Sequence, residues 1–417
     1  MQQVIEYNRD ICEAISEPEV LELRKMFPFF ERHPQTVYLD SSATTLKPIP
    51  VIEAAATYYT DYAVNVCRGK YALARKTESF VAEMRERVAR FISPRLKPSR
   101  VFFGQSATAS LQAFYSLWSS KLLKHGDSVF VGSADHRANV SPWLTLREYL
   151  QATGRGISVE FFKYKNSGVV DTASLVSKNS EQPPKAVALT LVHNVFGSVN
   201  PLLEIKDSLL DETRLFVDCS QSPLRTKLHH IEQCADFAVF SPHKMLGPMG
   251  LSVVVLSERM LEELSAFRHW NPADVNEAFF LDEGTPNIPA IFQFDAAIQF
   301  IEAIGYERIK ATIRRKTELA YRLLSYIDGI SYLPGPGRDE LSIHSGILSF
   351  RVDGASASEL GEELDSRGYV LRTGEHCVSA NPVTGNSLRL SVQFYTSDEE
   401  ITRFVSDLSD ICFHLRA

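Results

Sequence analysis

Short apolar runs alternate with amphipathic segments through the middle of the chain. Several runs are apolar almost throughout, which is typical of strands covered on both faces of a sheet. Helix-period segments cover 107–124 and 140–153, and an amphipathic helix is predicted over 77–92. This alternation predicts an α/β fold with a largely parallel sheet. The seven candidate strands are 101–103, 128–131, 159–162, 186–192, 214–217, 237–240 and 251–256.

The pattern changes after about residue 290. A single long helical stretch is predicted from Ile291 to Ile327, before the turn-rich loop 334–337. Beyond it, the sequence predicts strand 346–352, helix 358–367, strand 388–393 and a last helix with an N-cap signature at 396–399. These elements predict a smaller α+β domain. The expected division is an N-terminal segment over 1–35 that packs on the small domain, a large domain over 36–290, and the small domain over 291–417.

Length, charge and cysteine content narrow the class of protein. The chain has 417 residues and a net charge of −7, without a Lys/Arg tract, so we expect neither nucleic acid nor an anionic membrane as a partner. It has no run of about 18 apolar residues, which argues against a membrane span. The six cysteines form no CxxC pair and are too sparse for a disulfide scaffold. We therefore expect a soluble, cytoplasmic protein without a metal site.

Two charged side chains follow predicted strands. Asp218 ends the apolar run 214–217, and Lys244 lies just past the run 237–240. Ligand sites of open α/β sheets lie at the carboxyl ends of the strands. Pyridoxal phosphate requires a lysine that forms an imine with its aldehyde and an aspartate that keeps its pyridine nitrogen protonated. Each residue alone has an ordinary alternative, since such an Asp is often a turn residue and such a Lys is often solvated.

Seven segments of the chain occur in the order typical of one enzyme family. The chain resembles the fold-type I, class V aminotransferase-type pyridoxal-phosphate enzymes, and most closely the group II cysteine desulfurases and selenocysteine lyases. The resemblance extends from about Arg24 to the last helix and implies a seven-stranded large domain. The segments are Tyr38–Thr45, Asp135–Trp143, His193–Gly197, Val217–Gln221, Ser241–Pro248, Glu283–Asn287 and Arg372–Cys377.

The resemblance implies roles for five residues around the cofactor ring. Lys244 is expected to be the Schiff-base lysine and, once substrate displaces it, the base that moves the Cα proton. Asp218 is expected to pair with the pyridinium nitrogen, and His136 to stack on the ring. Gln221 is expected to hydrogen-bond the phenolic oxygen. Asn194 is expected near that oxygen and the substrate carboxylate.

The cofactor phosphate is expected to bind at the loop before helix 107–124. The segment Gly104–Ser106 precedes this helix, and backbone N–H groups at a helix start suit an anion. An ordinary N-cap loop is the alternative. The resemblance places Thr285 of a neighbouring subunit at the same phosphate, which implies a homodimer with shared active sites. The expected phosphate ligands are Gln105, Ser106, Ser241, His243 and Thr285.

Arg389 and Cys377 are the residues that bear on the reaction. A guanidinium suits the carboxylate of an amino acid, although an arginine on a strand is often a surface residue. Cys377 lies between polar residues and a polar turn, which predicts an exposed thiol, whereas most lone cysteines are buried hydrophobes. It also matches the family's persulfide-forming cysteine. The resemblance therefore implies conversion of L-cysteine to L-alanine, with the sulfur held on Cys377 as a persulfide. A sulfur-acceptor protein is a further expected partner.

The chain departs from the family pattern at four positions. Cys67 and Tyr71 stand where the family usually has histidine, Ala107 replaces a common Glu, and Glu375 replaces a neutral or basic residue. A carboxylate near Cys377 would disfavour the thiolate that the reaction needs. Two alternatives therefore stay open. One is another class V enzyme, such as a selenocysteine lyase or a cysteine or cystine lyase. The other is a non-catalytic scaffold that keeps the fold.

Overall fold

The computed structural model describes most of the chain, and several positions named above lie outside the described part. Thr285, Cys67, most of the loop 334–337 and residues 379–384 are among those positions. The described ranges are 13–66, 69–175, 183–265, 286–334, 345–378 and 385–416.

A seven-stranded sheet forms the centre of the larger part of the molecule. Its order is β2-β8-β7-β6-β5-β3-β4, and every neighbouring pair is parallel except the two that involve β8. Most strand positions are buried because helices cover both faces. The predicted mostly parallel seven-stranded sheet is confirmed. The strands are β2 Val101–Gly104, β3 Ser128–Gly132, β4 Ser158–Phe162, β5 Ala186–Thr190, β6 Arg214–Asp218, β7 Phe237–Phe240 and β8 Ser252–Leu256.

The helices around this sheet follow the predicted pattern, with shifted ends. The helix predicted from Thr77 begins five residues earlier, at Ala72, and ends at Ile92 as expected. Val81, Met84 and Val88 form its buried face. The helices from the N-terminal region to the end of the sheet are Glu17–Arg24, Pro28–Arg32, Ile49–Thr57, Ala72–Ile92, Ala107–Leu122, Arg137–Ala152, Leu202–Asp207, His230–Cys234 and Glu258–Ser265.

A second, four-stranded antiparallel sheet lies in the C-terminal part. Its order is β12-β13-β10-β9, so β13 is an inner strand. The register sets Arg372 of β12 directly opposite Arg389 of β13. A separate parallel pair joins β1 to β11. The bounds are β1 Val37–Tyr38, β9 Ile330–Tyr332, β10 Ile347–Val352, β11 Tyr369–Val370, β12 Arg372–Gly374 and β13 Ser387–Ser391, with helices Ala357–Ser366 and Asp398–Arg416.

The prediction of one long helix over 291–327 is wrong. The structure has two helices, Ile288–Ile304 and Tyr306–Leu324, which meet at 78°. Gly305 separates them with a φ of +97°, a backbone conformation that residues with a side chain rarely adopt. The apolar pattern continues across the break because both helices bury a face, so periodicity alone did not reveal it.

Within the described ranges, no single helix is both long and apolar enough to cross a membrane. The bent pair Ile288–Ile304 and Tyr306–Leu324 passes that test only when its two helices are taken together.

Apolar side chains gather mainly on the two faces of the large sheet and beside the small sheet. The small-sheet cluster includes Leu348, Leu390 and Phe404, and also Val37 and Leu39 from the start of the chain. The N-terminal segment contacts the C-terminal part, since Arg24 pairs with Glu400 at 2.7 Å. The proposed division at residues 36 and 290 remains a prediction.

A buried lysine ties the N-terminal segment to two C-terminal helices. Lys316 is fully buried, and its Nζ lies 2.5 Å from Glu17 and 2.8 Å from Asp398. Lys316→Met keeps the aliphatic stem but leaves both carboxylates without this partner. Because the carboxylates are about a third exposed and Arg315 still pairs with them, we expect a loss of about 2 kcal/mol in the free energy of unfolding, measured by urea denaturation.

The matched control for this measurement is Lys25→Met. Lys25 makes a similar short pair with Glu22, but both side chains are 70% exposed. Its removal should change the free energy of unfolding by less than about 0.5 kcal/mol. Equal effects of the two substitutions would contradict a structural role for the Lys316 pair.

Candidate active site

Three neighbouring parallel strands deliver polar side chains to one edge of the large sheet. Asp218 is the last residue of β6, and its Cα is paired with Thr190 of β5 and Val239 of β7. Asn194 follows β5, and Lys244 follows β7. Because the strands are parallel neighbours, their carboxyl ends lie together. The structure thus brings three of the predicted residues to one edge.

Lys244 closes a short 3₁₀ helix, Pro242–Lys244, directly after β7. Burial lowers the pKa of Lys244 to about 8, the Asp218 carboxylate opposes that shift, and the Arg389 guanidinium adds to it. A lysine with such a pKa is partly neutral near neutral pH, and only the neutral amine can act as a nucleophile or base.

Asp218 and Gln221 are both buried at the end of β6. One carboxylate oxygen of Asp218 accepts a hydrogen bond from the backbone N–H of Ser220 at 2.8 Å, which fixes its direction. The side-chain amide of Gln221 donates to the Ser42 carbonyl at 2.8 Å. Its carbonyl oxygen, Oε1, is buried without a partner among the described residues. A second amide N–H remains for another acceptor.

His136 caps the helix Arg137–Ala152. Its Nδ1 accepts a hydrogen bond from the backbone N–H of Ala138 at 3.1 Å, so the neutral ring carries its proton on Nε2. Burial is the largest cause that lowers the pKa of His136, while Asp218 opposes the shift and Lys244 adds to it. The imidazole is therefore a neutral ring near Asp218 and Lys244, and its Nε2–H has no hydrogen bond within the described ranges.

The predicted phosphate loop precedes the helix Ala107–Leu122. Ser106 is the N-cap, and its Oγ accepts from the backbone N–H of Ala109 at 3.1 Å. The backbone N–H of Ala107 lies 3.4 Å from the Oγ of Ser241, so the end of β7 meets this helix start. His243 has a buried Nδ1 without a partner among the described residues. Gln105 is exposed, and Thr285 lies outside the described ranges.

Arg389 is buried rather than at the surface. Its Nη1 donates to the carbonyl of Asn194 at 3.1 Å, and its Nη2 donates to Asp40 at 3.0 Å. Its Nε has no partner among the described residues. Burial lowers the pKa of Arg389, and the adjacent Asp40 carboxylate opposes the shift. A buried guanidinium with an unpaired N–H can donate a hydrogen bond to a ligand carboxylate.

Cys377 is exposed, as predicted, and its backbone is held by the ring-site elements. Its carbonyl accepts from the backbone N–H of Arg137 at 2.8 Å, one residue after His136. The carbonyl of His376 accepts from the Asn194 side chain at 3.0 Å. Both His376 and Cys377 have positive φ, 52° and 58°, which residues with a side chain adopt at a cost.

A cavity of about 500 Å³ opens beside this thiol. It contains two acidic and two basic side chains, so it is a polar rather than an apolar recess. Its lining residues are Asp40, Arg137, Leu371, Arg372, Thr373, Glu375, His376 and Cys377.

Asp40 and Arg372 were not identified as site residues from the sequence. Asp40 joins Arg389 and Arg372 through its two carboxylate oxygens. Both residues lie within segments that match the family, 38–45 and 372–377, and this was the available signal. The contact itself joins residues more than 300 positions apart, and no local pattern records it.

His193 begins one of the segments that match the family, and its side chain stabilises the local fold. Its Nδ1 accepts from the backbone N–H groups of Val195 and Phe196, at 3.2 and 3.1 Å. Its Nε2 lies 2.9 Å from the carbonyl of Ala134, and its ring stacks on Phe196. Burial lowers the pKa of His193 from 6.5 to about 3. The neutral ring is thus part of the folded core.

This shift predicts that His193 makes the fold sensitive to acid. The folded state favours the neutral form of His193. Its contribution to the free energy of unfolding is therefore complete above pH 6.5 and is lost as the pH falls from 6.5 towards 3. At pH 5 the loss should be about 2 kcal/mol. Urea denaturation at pH 7 and 5 measures it, with His193→Gln as the variant that cannot titrate. If the free energy of unfolding of His193→Gln depended on pH as strongly as that of the wild-type protein, this assignment would be wrong.

Comparison with known proteins gives matches over nearly the whole chain. The aminotransferase class-V family model matches residues 37–404, a range that contains Lys244 and Cys377. A probable cysteine desulfurase from Methanothermobacter thermautotrophicus is 30% identical over 409 residues, covering 94% of this chain and 97% of the relative. A cysteine desulfurase from Haloferax volcanii is 29% identical and covers 88% of each chain.

A solved structure supports the same relationship. The apo structure of a cysteine desulfurase from Thermococcus onnurineus NA1 aligns with a TM-score of 0.83 at 26% identity. The alignment covers 97% of this chain and all of the other. The architecture described above is therefore shared over the full length of that structure.

Proposed function

The chain belongs to the aminotransferase class-V family, and from this premise we propose that it is a pyridoxal-phosphate-dependent cysteine desulfurase. It converts L-cysteine to L-alanine and holds the removed sulfur on Cys377 as a persulfide. One observation carries the proposal beyond the family. An exposed thiol is attached, through the backbones of His376 and Cys377, to Asn194 and to the helix capped by His136.

The residues fit pyridoxal phosphate on chemical grounds. A buried site built for a polar group should contain polar atoms without a protein partner. Gln221 Oε1, Asn194 Oδ1, His243 Nδ1 and Arg389 Nε are such atoms among the described residues. Lys244, with its pKa lowered to about 8, supplies the amine that the cofactor aldehyde needs. These features support the cofactor assignment.

We assign the cofactor contacts as the family resemblance implies. Asp218 would hold the pyridine nitrogen protonated, and Gln221 would donate its second amide N–H to the phenolic oxygen. His136 would lie against the ring, with Asn194 beside it. The phosphate would receive hydrogen bonds from residues at the start of the helix Ala107–Leu122 and after β7, namely Gln105, Ser106, Ser241 and His243. When bound, pyridoxal phosphate supplies an electron-withdrawing ring that stabilises negative charge at the substrate Cα.

Three side chains of the chain then handle the substrate. Arg389 binds the α-carboxylate through its Nε–H, which has no partner among the described residues. Lys244, as the neutral amine, takes the proton from Cα. The Cys377 thiolate attacks the substrate sulfur, so an S–S bond forms while the Cβ–S bond of the substrate breaks and leaves its electron pair on the carbon side. Protonation of Cβ, and return of a proton from Lys244 to Cα, then complete L-alanine. The products are L-alanine and Cys377 persulfide, which together contain all atoms of L-cysteine and the original thiol.

The proposal also covers the subunit assembly of the protein, its sulfur acceptor and its location in the cell. We place the chain in a homodimer, in which Thr285 of one subunit reaches the phosphate of the other. Tyr59 and Tyr71 are large aromatic side chains that are 65% and 52% exposed, and a subunit interface would cover surface of this kind. A sulfur-acceptor protein would collect the persulfide at exposed Cys377. A reducing compartment, the cytoplasm, would keep that thiol free.

A product screen tests the proposed reaction. The protein loaded with pyridoxal phosphate is incubated with L-cysteine, L-selenocysteine, cystine and other amino acids, with and without a thiol reductant. We expect L-alanine from L-cysteine, with sulfide released when a reductant is present. Pyruvate and ammonia as the main products from L-cysteine or cystine would instead favour a lyase. A protein without imine absorbance, even with added cofactor, would favour the scaffold alternative.

A further inference from the structure

Asp40 is a buried carboxylate between Arg372 and Arg389, which lie on neighbouring strands of the small sheet. It follows β1 and is 9% exposed. Its Oδ1 accepts from Arg389 Nη2 at 3.0 Å. Its Oδ2 accepts from Arg372 at 3.1 Å through Nη2 and at 3.3 Å through Nε. One carboxylate therefore joins two guanidinium groups on neighbouring strands.

The register of the small sheet makes this carboxylate necessary. Arg372 and Arg389 are directly opposite each other on β12 and β13. Like charges that face each other across a strand pair repel, and a buried position strengthens the repulsion. The negative charge of Asp40 offsets one of the two positive charges, so the three side chains together have a net charge of +1. That charge matches a single substrate carboxylate.

Asp40 also fixes the direction of Arg389. The guanidinium is held at Nη1 by the Asn194 carbonyl and at Nη2 by Asp40. Two anchors in the plane of a rigid group determine its orientation. The buried Nε–H, without a partner among the described residues, is left for a ligand. Without Asp40 the group would keep one anchor and face a bare like charge.

We infer that Asp40 is a positioning residue for the substrate α-carboxylate, acting through Arg389 and Arg372. This inference rests on the proposed function, because it assigns Arg389 to the carboxylate of an amino-acid substrate. Asp40 does not touch the reacting atoms. Its substitution should therefore weaken the binding of ligands that carry a carboxylate and leave other amines unaffected.

Ligand titration of the cofactor-loaded protein distinguishes weaker binding of carboxylate ligands from weaker binding of amines in general. The change in imine absorbance is followed with L-alanine, which has the α-carboxylate, and with ethylamine, which lacks it. Asp40→Asn should raise the dissociation constant of L-alanine by about tenfold or more, as expected for the loss of a charged hydrogen-bond partner. The constant for ethylamine should stay within about twofold. Asp40→Glu keeps the charge and should show an intermediate constant for L-alanine.

Steady-state kinetics give an independent measurement. If Asp40 acts on carboxylate binding, Asp40→Asn should raise KM for L-cysteine by about tenfold while kcat changes by less than about threefold. Thermal unfolding of both Asp40 variants checks that they fold. If Asp40→Asn does not fold, the L-alanine and ethylamine titrations of Asp40→Glu decide the question in the same way.

Glu375→Gln is the matched control. Glu375 lines the same cavity and carries the same charge, but within the described ranges it makes no hydrogen bond to either arginine. This variant should leave the L-alanine constant within about twofold.

Three outcomes would overturn the inference. They are an unchanged L-alanine constant in Asp40→Asn, equal weakening of L-alanine and ethylamine, and an equal effect of Glu375→Gln. Failure of the wild-type protein to make L-alanine from L-cysteine would overturn the proposed function instead. The L-alanine titration would still test Asp40 in that case.

Discussion

Replacing Lys244 with alanine should reduce L-alanine formation from L-cysteine by about 10³-fold or more, because one side chain serves as both cofactor amine and base. The variant should also lack the imine absorbance of the unmodified protein. Lys244→Arg should behave in the same way, since it keeps the positive charge but cannot form an imine. The measurements are the absorbance spectrum with added pyridoxal phosphate and the rate of L-alanine production.

The matched control for Lys244 is Lys47→Ala. Lys47 and Lys244 are the two lysines, within the described part of the chain, for which a clear lowering of the pKa is found, to about 7 and about 8. The pKa alone therefore does not distinguish them. The Nζ of Lys47 donates to the carbonyls of Thr45 and His243, at 2.5 and 2.9 Å, whereas Lys244 interacts with Asp218. Imine absorbance retained in Lys244→Ala and lost in Lys47→Ala would contradict the assignment.

Replacing Cys377 with alanine should lower L-alanine formation from L-cysteine by about 10²-fold or more, because the attacking thiolate is lost. The imine absorbance should be unchanged, since Cys377 is not part of the cofactor site. L-Selenocysteine should be affected less than L-cysteine, because release of selenide depends less on an attacking thiol. The two substrates therefore give an internal comparison within one variant.

Cys234→Ser is the control for the Cys377 substitution. Cys234 is a buried thiol, and burial raises its pKa to about 11, so it should not act as a nucleophile near neutral pH. This variant should keep the L-cysteine activity of the unmodified protein. If L-alanine production from L-cysteine continued at the original rate in Cys377→Ala, the persulfide step would be wrong.

The sheet could be predicted closely from the sequence because its strands have few alternatives. The run Phe237–Phe240 is apolar throughout and matches β7 at both ends. Such short runs between helical segments are typical of buried parallel strands. The ends of these strands then placed Asp218 and Lys244 near each other without knowledge of the three-dimensional contacts. Asp218 and Lys244 therefore followed from local pattern, whereas His136, Gln221 and Asn194 followed from the family resemblance.

The small-sheet half of the candidate site depended on contacts that local pattern does not encode. Arg389 reads as a possible surface residue, yet β13 is an inner strand and the side chain is buried against Asp40. Asp40 is near the start of the chain and its partners are near the end, so only the folded chain brings them together. The helix break at Gly305 was missed for a different reason, because both helices continue the apolar period.

Some properties of Cys377 followed from local sequence pattern, and others depended on contacts in the folded chain. Its polar neighbours predicted exposure, and the thiol is exposed. Its hydrogen bond to Arg137 and the positive φ of two successive residues were not visible in the sequence. These features support the proposal that the Cys377 thiol takes part in the reaction, because they attach its backbone to elements of the large sheet.

A single-turnover experiment tests the central proposal most directly. The cofactor-loaded protein is mixed with L-cysteine without reductant, quenched, digested and analysed by mass spectrometry. The account predicts one L-alanine for each active site and a mass increase of one sulfur atom on the peptide that contains Cys377. Pyruvate in place of L-alanine, with an unmodified Cys377 peptide, would contradict it.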